Sequence, residues 1–437
     1  MRVKVAAHRV SPGRQVAATV LRRVDEEGAY ADRALAGEAT RAGLDGRERA
    51  FATRLAYGAI QRRRTLDHVI ATLARRPVEQ LDAPVRDALR LGCLQLLFLD
   101  GVAAHAAVDQ SVELAKGAGG PGFKLVNAVL RKVGRDGAGL LAALDAATPR
   151  GAALKHSVPD WIAELWWEML GPDDARALLA TVNEPAESSL RVNTLVATRD
   201  EVLAELAGRG IEGRAAGDLP EAILLDAPFD AAGGELWARG AITAQSRAAM
   251  HVARLLAPEP GMRVLDLCAA PGGKATHLAA LMGGDGEVVA VERHPGRAEA
   301  LRRTCERLRA GTVRIETADA AQPREDGPFD AVLVDPPCSG LGTLQGRPDL
   351  RWRADPGAIP ELAALQGRIL AAGAAALRPG GALVYATCTI SRAEGEDVIE
   401  AFLRAHPGFA LDDEPRQLLP HRDGTDGFFL TRLRRVV

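Results

Sequence analysis

The 437-residue sequence is poor in aromatic residues, which make up 4% of it, and it holds five cysteines. Cys93, Cys268, Cys305, Cys338 and Cys388 are odd in number and none belongs to a CxxC pair. A disulfide scaffold and a structural zinc site are thereby disfavoured, and a reduced, cytosolic chain without a metal is expected. No window reaches 18 uncharged apolar residues, so no membrane span is expected. Residues 1–20 lack the apolar run of a signal peptide. What is present is a globular composition, 47% hydrophobic and 26% charged, with length for about three domains. Disorder is excluded as a description of the whole.

The net charge of −2 conceals an asymmetry. Residues 1–140 carry 23 basic and 15 acidic side chains, and the rest of the chain carries 32 and 42. A basic module joined to an acidic one points to a polyanion as the partner of the first. Basic residues cluster at Arg62-Arg63-Arg64 and along Lys124, Arg131 and Lys132.

Periodicity divides the chain in three. Residues 1–140 read as an all-α bundle: Val16, Val20, Leu21 and Val24 fall at helical spacing, as do Leu66, Val69, Ile70 and Leu73. Val85 to Leu99 is apolar enough to be the bundle's central helix. Two more helices follow, Ala107 to Lys116 and Phe123 to Val133, and the Gly-rich stretch 134–151 reads as a linker with room for one helix inside it. Residues 141–240 contain that linker and a small α+β module, with short strands at Ser189–Asn193 and Ala222–Leu225 around a helix near 200–208. Its tryptophans, Trp161 and Trp166, read as packing residues. From 241 to 437 strands alternate with helices, at Arg263–Cys268, Glu287–Glu292, Val313–Ile315, Phe329–Asp335 and Gly381–Thr387. This third region is therefore expected to be an α/β, doubly wound, Rossmann-like domain with a mostly parallel sheet.

In such sheets ligands lie beyond the carboxyl ends of the strands. The first strand runs into Cys268-Ala269-Ala270-Pro271-Gly272-Gly273-Lys274, whose glycines allow close backbone approach ahead of a helix N-terminus. The second ends in Glu292, placed to accept from both hydroxyls of a ribose. Asp319, after the third, is placed to accept from an adenine amino group. A nicotinamide dinucleotide and S-adenosylmethionine both remain open here, although the loop is not GxGxxG. The fourth strand runs into Asp335-Pro336-Pro337-Cys338 and the fifth into Thr387-Cys388, so two thiols fall on the ligand-binding edge. A single free cysteine is commonly a small buried hydrophobe; two at consecutive strand ends are harder to explain that way.

Cys268–Lys274, Asp335–Cys338 and Thr387-Cys388 together resemble the RNA cytosine-5 methyltransferases that include bacterial RsmB and the eukaryotic Nop2 and Sun-type enzymes. The likeness covers essentially the whole chain and follows the RsmB branch. Leu91-Gly92, Val112–Lys116 and Phe123–Leu130 are similar to a NusB-like helical RNA-binding domain. Leu190-Arg191-Val192-Asn193 resembles the family's middle RNA-contacting module, and Asp426-Gly427-Phe428-Phe429 its closing motif. The resemblance implies S-adenosylmethionine as cofactor, held by Cys268–Lys274, Glu292, Asp319, Asp335 and Arg297. It implies small-subunit ribosomal RNA as partner, naked or partly assembled, and nothing in it requires more than a monomer.

The chemistry needs what these residues offer. Carbon 5 of cytosine becomes nucleophilic once a thiolate adds to carbon 6. Cys388 is expected to be that thiolate and Asp335 to hold the N3 edge of the base. The resemblance implies that Cys338 assists release of the adduct. The target base must leave its stack to be reached.

The sequence departs from the family pattern at Arg392-Ala393-Glu394-Gly395-Glu396, usually Pro-x-Glu-Asn-Glu, and at Gln345-Gly346-Arg347, which carries one basic residue instead of two or more. Neither departure is expected to touch the chemistry. Three other readings compete: an amino-methyltransferase, the same chemistry on transfer RNA, and an RNA-binding factor without catalysis.

Overall fold

The computed structural model describes residues 10–227 and 229–436, so the start of the N-terminal stretch read for a signal peptide lies outside the described residues. Two compact units divide the chain: the described residues to Glu184 with Leu344–Ala354, and Pro185–Thr343 with Asp355 onward.

The first unit is helical. It comprises α1 (Pro12–Glu27), α2 (Ala31–Arg41), α3 (Gly46–Gln61), α4 (Arg63–Ala74), α5 (Ala83–Phe98), α6 (Ala104–Gly117), α7 (Phe123–Ala142), α8 (Pro149–His156), α9 (Asp160–Leu170) and α10 (Pro172–Thr181). Local signals set several ends. Asp45 caps α3 by accepting from the Glu48 amide, Thr148 caps α8 from Gly151, and left-handed Gly28 closes α1. As its continuous apolar run suggested, α5 is central: Val85, Ala88, Leu89, Leu91 and Leu94 are all buried. Trp166 is buried, in keeping with a packing role.

Where the glycines after Val133 suggested a linker, α7 instead continues to Ala142. Gly137 explains why: a β-carbon there would stand 3.0 Å from Leu97 Cδ2, so the glycine lets α7 approach α5 closely without ending the helix.

The short excursion Leu344–Ala354 is held in this unit by Arg351, which is fully buried. Its guanidinium donates to the carbonyls of Gln61, Ser157, Val182 and Leu344 and to Asn183 Oδ1, at 2.7–3.2 Å. These carbonyls lie at or just beyond helix ends, where chain oxygens lack intrahelical partners. Burial lowers the Arg351 pKa to about 9, the cost that these bonds offset. Arg351→Ala is expected to destabilise this unit by about 3 kcal/mol, because several buried acceptors lose a charged donor together. Denaturant unfolding of the full chain checks this, and a loss below about 1 kcal/mol would contradict it.

The second unit contains two sheets. A four-stranded antiparallel sheet orders β2 (Gly213–Ala215), β3 (Ala222–Leu225), β1 (Ser189–Val192) and β4 (Ile242–Ala244). Beside it lie α11 (Arg199–Gly208), started by a Thr198–Glu201 capping box, and α12 (Glu235–Ala238). Leu190, Val192, Val202, Leu206, Ile223 and Ile242 form its core. β2 and β4 carry three residues each, too few for alternation to register in the sequence.

The larger, eight-stranded sheet uses β5 (Arg263–Leu267), β6 (Glu287–Glu292), β7 (Val313–Thr317), β8 (Phe329–Val334), β9 (Leu377–Thr387), β10 (Phe409–Leu411), β11 (Arg416–Leu418) and β12 (Phe428–Arg435). Its order is β10-β12-β9-β8-β5-β6-β7, with β11 also paired to β12. β9, β8, β5, β6 and β7 are mutually parallel, as expected of a doubly wound domain. β12 inserts antiparallel to β9 and brings Phe428 and Phe429 into the sheet. The helices α13 (Arg247–Leu256), α14 (Gly273–Leu281) and α15 (Pro295–Arg307) precede β5, β6 and β7 in turn. Apolar clusters on the two faces of the sheet contain Val264, Val288 and Leu333 on one side and Leu265, Val289 and Val332 on the other. That alternation is what strands covered on both faces require.

Candidate active site

From β5 the chain proceeds outward to β6 and β7, then returns to place β8 on the other flank of β5. The order therefore reverses between β5 and β8, and the crevice beyond their carboxyl ends is where an α/β sheet receives a ligand. Cys268–Lys274 follows β5, and Asp335–Cys338 follows β8. Glu292 ends β6, Asp319 follows β7, and Cys388 follows β9. Every residue expected at the site thus comes to one edge of one sheet.

The Cys268–Lys274 loop is held at both ends. Cys268 takes a left-handed backbone (φ +69°), and the Ala269 amide donates to Val291 O at 2.8 Å. Pro271 is exposed while Gly272 is buried at φ +107°, where a β-carbon would meet Leu301 Cδ1 at 2.7 Å. Arg297 ties this loop to β6, since its guanidinium donates to Ala270 O at 2.9 Å and lies 3.4 Å from a Glu292 oxygen. The nearly buried Glu292 carboxylate also accepts from the His294 amide at 2.8 Å. Asp319 remains half-buried, with one oxygen accepting from Ala321 N at 3.1 Å.

Lys274, the second residue of α14, donates to Asp335 Oδ2 at 2.7 Å and thereby joins the β5 loop to the β8 loop. Burial lowers the lysine pKa, but the charge and hydrogen bond of Asp335 outweigh it and leave the ammonium net raised. Beside this pair, Cys338 Sγ and Cys388 Sγ are 3.2 Å apart, both half-buried, with neither in a disulfide. The Cys338 thiol is pushed well up by its bond to Cys388, by burial and by the Glu394 and Asp335 charges. The Cys268 thiol is raised to about 12, chiefly by burial, with the Asp335 charge adding to the rise.

The small antiparallel sheet supports the same loop. Arg191 is fully buried and donates to the Gly273 carbonyl, to Gln245 Oε1 at 2.7 Å and to Thr276 Oγ1 at 2.8 Å. Asn193 donates to the carbonyls of Gly240 and Leu308 at 2.9 and 2.7 Å. These side chains of the Leu190–Asn193 motif therefore face inward, toward the beginning of α14 and the end of α15.

Two residues were not singled out by sequence reasoning. Glu394, fully buried, sits between the two cysteine loops. Asp266 lies within β5, and neither of its oxygens has a hydrogen-bond partner among the described residues. A charged residue inside Val264-Leu265-Asp266-Leu267 was the available signal. Burial pushes the Asp266 carboxyl up to about 8; Asp335 adds to the rise and Lys274 opposes it.

Unfolded, the Asp266 carboxyl ionises near its ordinary 3.8, whereas folded it keeps its proton to about 8. The folded chain binds the extra proton in that window, so stability falls as pH rises through it and levels off above. Asp266→Asn is expected to melt above wild type, with a gap that widens from pH 5 to about pH 8 and then stays constant. Melting curves across that range check it, and a gap independent of pH would contradict it.

Comparison with known proteins agrees with this architecture. Residues 253–434 match the family described as 16S rRNA methyltransferase RsmB/F, and residues 11–135 match the NusB family. Residues 158–232 match the RsmF/B-like ferredoxin-like domain. The chain is 37% identical to the probable ribosomal RNA small subunit methyltransferase B of Synechocystis, over 97% of this chain and 99% of that protein. Identity is also 37% to the ribosomal RNA small subunit methyltransferase B of Thermus thermophilus, covering 98% of this chain and 99% of the relative. The crystal structure of PH0851 superposes with a TM-score of 0.81 at 28% identity, covering 98% of this chain and 99% of that one. A NusB-like helical domain, a ferredoxin-like module and a Rossmann-like methyltransferase domain, in that order and at this identity, place the chain in the RsmB/F family of 16S rRNA methyltransferases.

Proposed function

We propose that this protein methylates carbon 5 of a cytidine in small-subunit ribosomal RNA through a covalent adduct between Cys388 and carbon 6. The observation that carries the reading is the 3.2 Å contact between Cys338 Sγ and Cys388 Sγ, beside the Lys274–Asp335 pair. The relatives' names support ribosomal RNA as substrate, and the basic charge of residues 1–140 suits that region to its phosphates.

The cofactor residues suit S-adenosylmethionine. The Cys268–Lys274 backbone presents the start of α14 to a carboxylate, Glu292 offers acceptors to ribose hydroxyls, and half-buried Asp319 offers one to an amine. Arg297 steadies the loop from behind through Ala270. When bound, S-adenosylmethionine supplies the electrophilic methyl group.

The two thiols have different surroundings. Cys338, pushed up, keeps its proton and can donate it across the 3.2 Å contact. A thiolate at Cys388 would accept that bond and feel the Lys274 ammonium, with which it interacts electrostatically. Addition of this thiolate to carbon 6 places electron density on carbon 5, while Asp335 holds the N3 edge. Once carbon 5 carries the methyl group, its hydrogen leaves as a proton taken up by water, which the Cys338 thiol orients. The C6–S bond then breaks and the Cys388 thiolate returns.

The test is a covalent trap. Cys338→Ala, incubated with S-adenosylmethionine and unmodified small-subunit RNA, is expected to accumulate a protein–RNA band on a denaturing gel. Cys388→Ala is expected to give none and to lose methyl transfer. A band only with Cys388→Ala would reverse the roles. No band from either variant, with wild type still active, would overturn the adduct.

A further inference from the structure

The segment after Cys388 returns to the active edge at one point, Glu394, whose carboxylate is shared between the two cysteine loops. One oxygen accepts from the Ser339 amide at 2.8 Å and from Gln366 Nε2 at 3.1 Å. The other accepts from Ser339 Oγ and lies 3.4 Å from Thr389 Oγ1. Ser339 follows Cys338 in the chain and Thr389 follows Cys388, and their hydroxyls are 2.6 Å apart. The Glu394 carbonyl adds a second hold, accepting from Tyr385 Oη at 2.8 Å and Thr387 Oγ1 at 3.3 Å on the strand that ends at Cys388. Gln366 extends the network by donating to Pro337 O at 2.9 Å.

We propose that Glu394 is a positioning residue that sets the distance between the Cys338 and Cys388 thiols by clasping the residue after each. Burying a carboxylate is costly unless its oxygens are satisfied. Here its neighbours are an amide, a side-chain NH2 group and two hydroxyls that also bond each other. The amide and the NH2 group require an acceptor, whereas the hydroxyls can also accept but bond a carboxylate more strongly than a neutral group. A glutamine would lose the charge-assisted character of these bonds on both sides and so loosen the clasp. Glu394 lies in the segment that departs from the family pattern, yet the departures fall on its neighbours Arg392 and Gly395.

The consequence for methyl transfer rests on the proposed function, whereas the spacing of the thiols does not, and the experiment separates the two. Diamide, a two-electron oxidant, takes two electrons and two protons from a neighbouring thiol pair and leaves a disulfide and a hydrazine. Wild type is expected to form the Cys338–Cys388 disulfide, read by peptide mapping without reductant. Glu394→Gln is expected to form it about tenfold more slowly and to lose about tenfold or more in kcat, with KM for S-adenosylmethionine unchanged. Glu394→Asp, again a carboxylate, should recover part of both losses. Ser339→Ala removes a single hydroxyl and should shift cross-linking in the same direction by less, which guards against misfolding of the glutamine variant. Wild-type cross-linking rates in both Glu394→Gln and Ser339→Ala would overturn the proposal, as would no disulfide in wild type. If cross-linking slows as expected but wild type transfers no methyl group, the clasp stands and the proposed function fails.

Discussion

The parallel pairing of β8 with β9 is the constraint on which the site depends. Val334, the last residue of β8, lies opposite Tyr385, two residues before the end of β9, so the loops that follow the two strands leave side by side. Asp335 to Cys338 and Thr387-Cys388 are 50 residues apart in sequence, yet their thiols touch. β12 reinforces the arrangement from the other flank of β9, where Phe429 pairs with Thr387. Just before it, the Gly427 amide donates to Gly342 O at 2.8 Å, and the Gly342 amide donates to Cys388 O at 3.1 Å. A β-carbon on Gly342 would collide with Gly427 O, so this crossing is open only to glycine. The closing Asp426–Phe429 segment therefore acts as a brace behind the Cys388 loop.

Electrostatics divides the same edge into a charged and an uncharged half. Lys274 and Asp335 form a short ion pair, while Asp266 beneath them stays protonated to about 8 because it is buried near the Asp335 charge. The Cys338 thiol is pushed up by its bond to Cys388 and by burial, and Lys274 is the cation that interacts electrostatically with Cys388. One lysine thus interacts with both the Asp335 carboxylate and the Cys388 thiol. The small antiparallel sheet fixes that lysine indirectly, since Arg191 holds Gly273 and Thr276 on either side of it. In this way the small antiparallel sheet contributes a buried side chain to the end of the Cys268–Lys274 loop.

Much of this was legible in the sequence because it rests on short-range signals. Strands with continuous apolar runs ended in Gly-rich, Pro-rich or Thr-Cys segments, and those segments proved to share one edge. What stayed hidden depends on contacts distant along the chain. Glu394 lies five to seven residues from Thr389 and Thr387, but its partner Ser339 is 55 residues away. Leu344–Ala354 shows no apolar pattern, and its place in the helical unit rests on Arg351 meeting Gln61, Ser157 and Val182. Gly134, Gly137 and Gly139 read as a linker because composition cannot distinguish a flexible glycine from one that admits a neighbouring helix. Short β2 and β4 gave no periodicity, and the pairing of β12 with β9 spans more than 40 residues.

The central claim is that the edge formed by β8 and β9 performs chemistry at a ring carbon of cytosine. The most direct measurement is nucleoside mass spectrometry of unmodified small-subunit RNA after incubation with the protein and isotopically labelled S-adenosylmethionine. The account expects the label in 5-methylcytidine at a single site, absent with Cys388→Ala. Label in N4-methylcytidine or a methylated adenosine would contradict it, because neither product requires a thiol at Cys388.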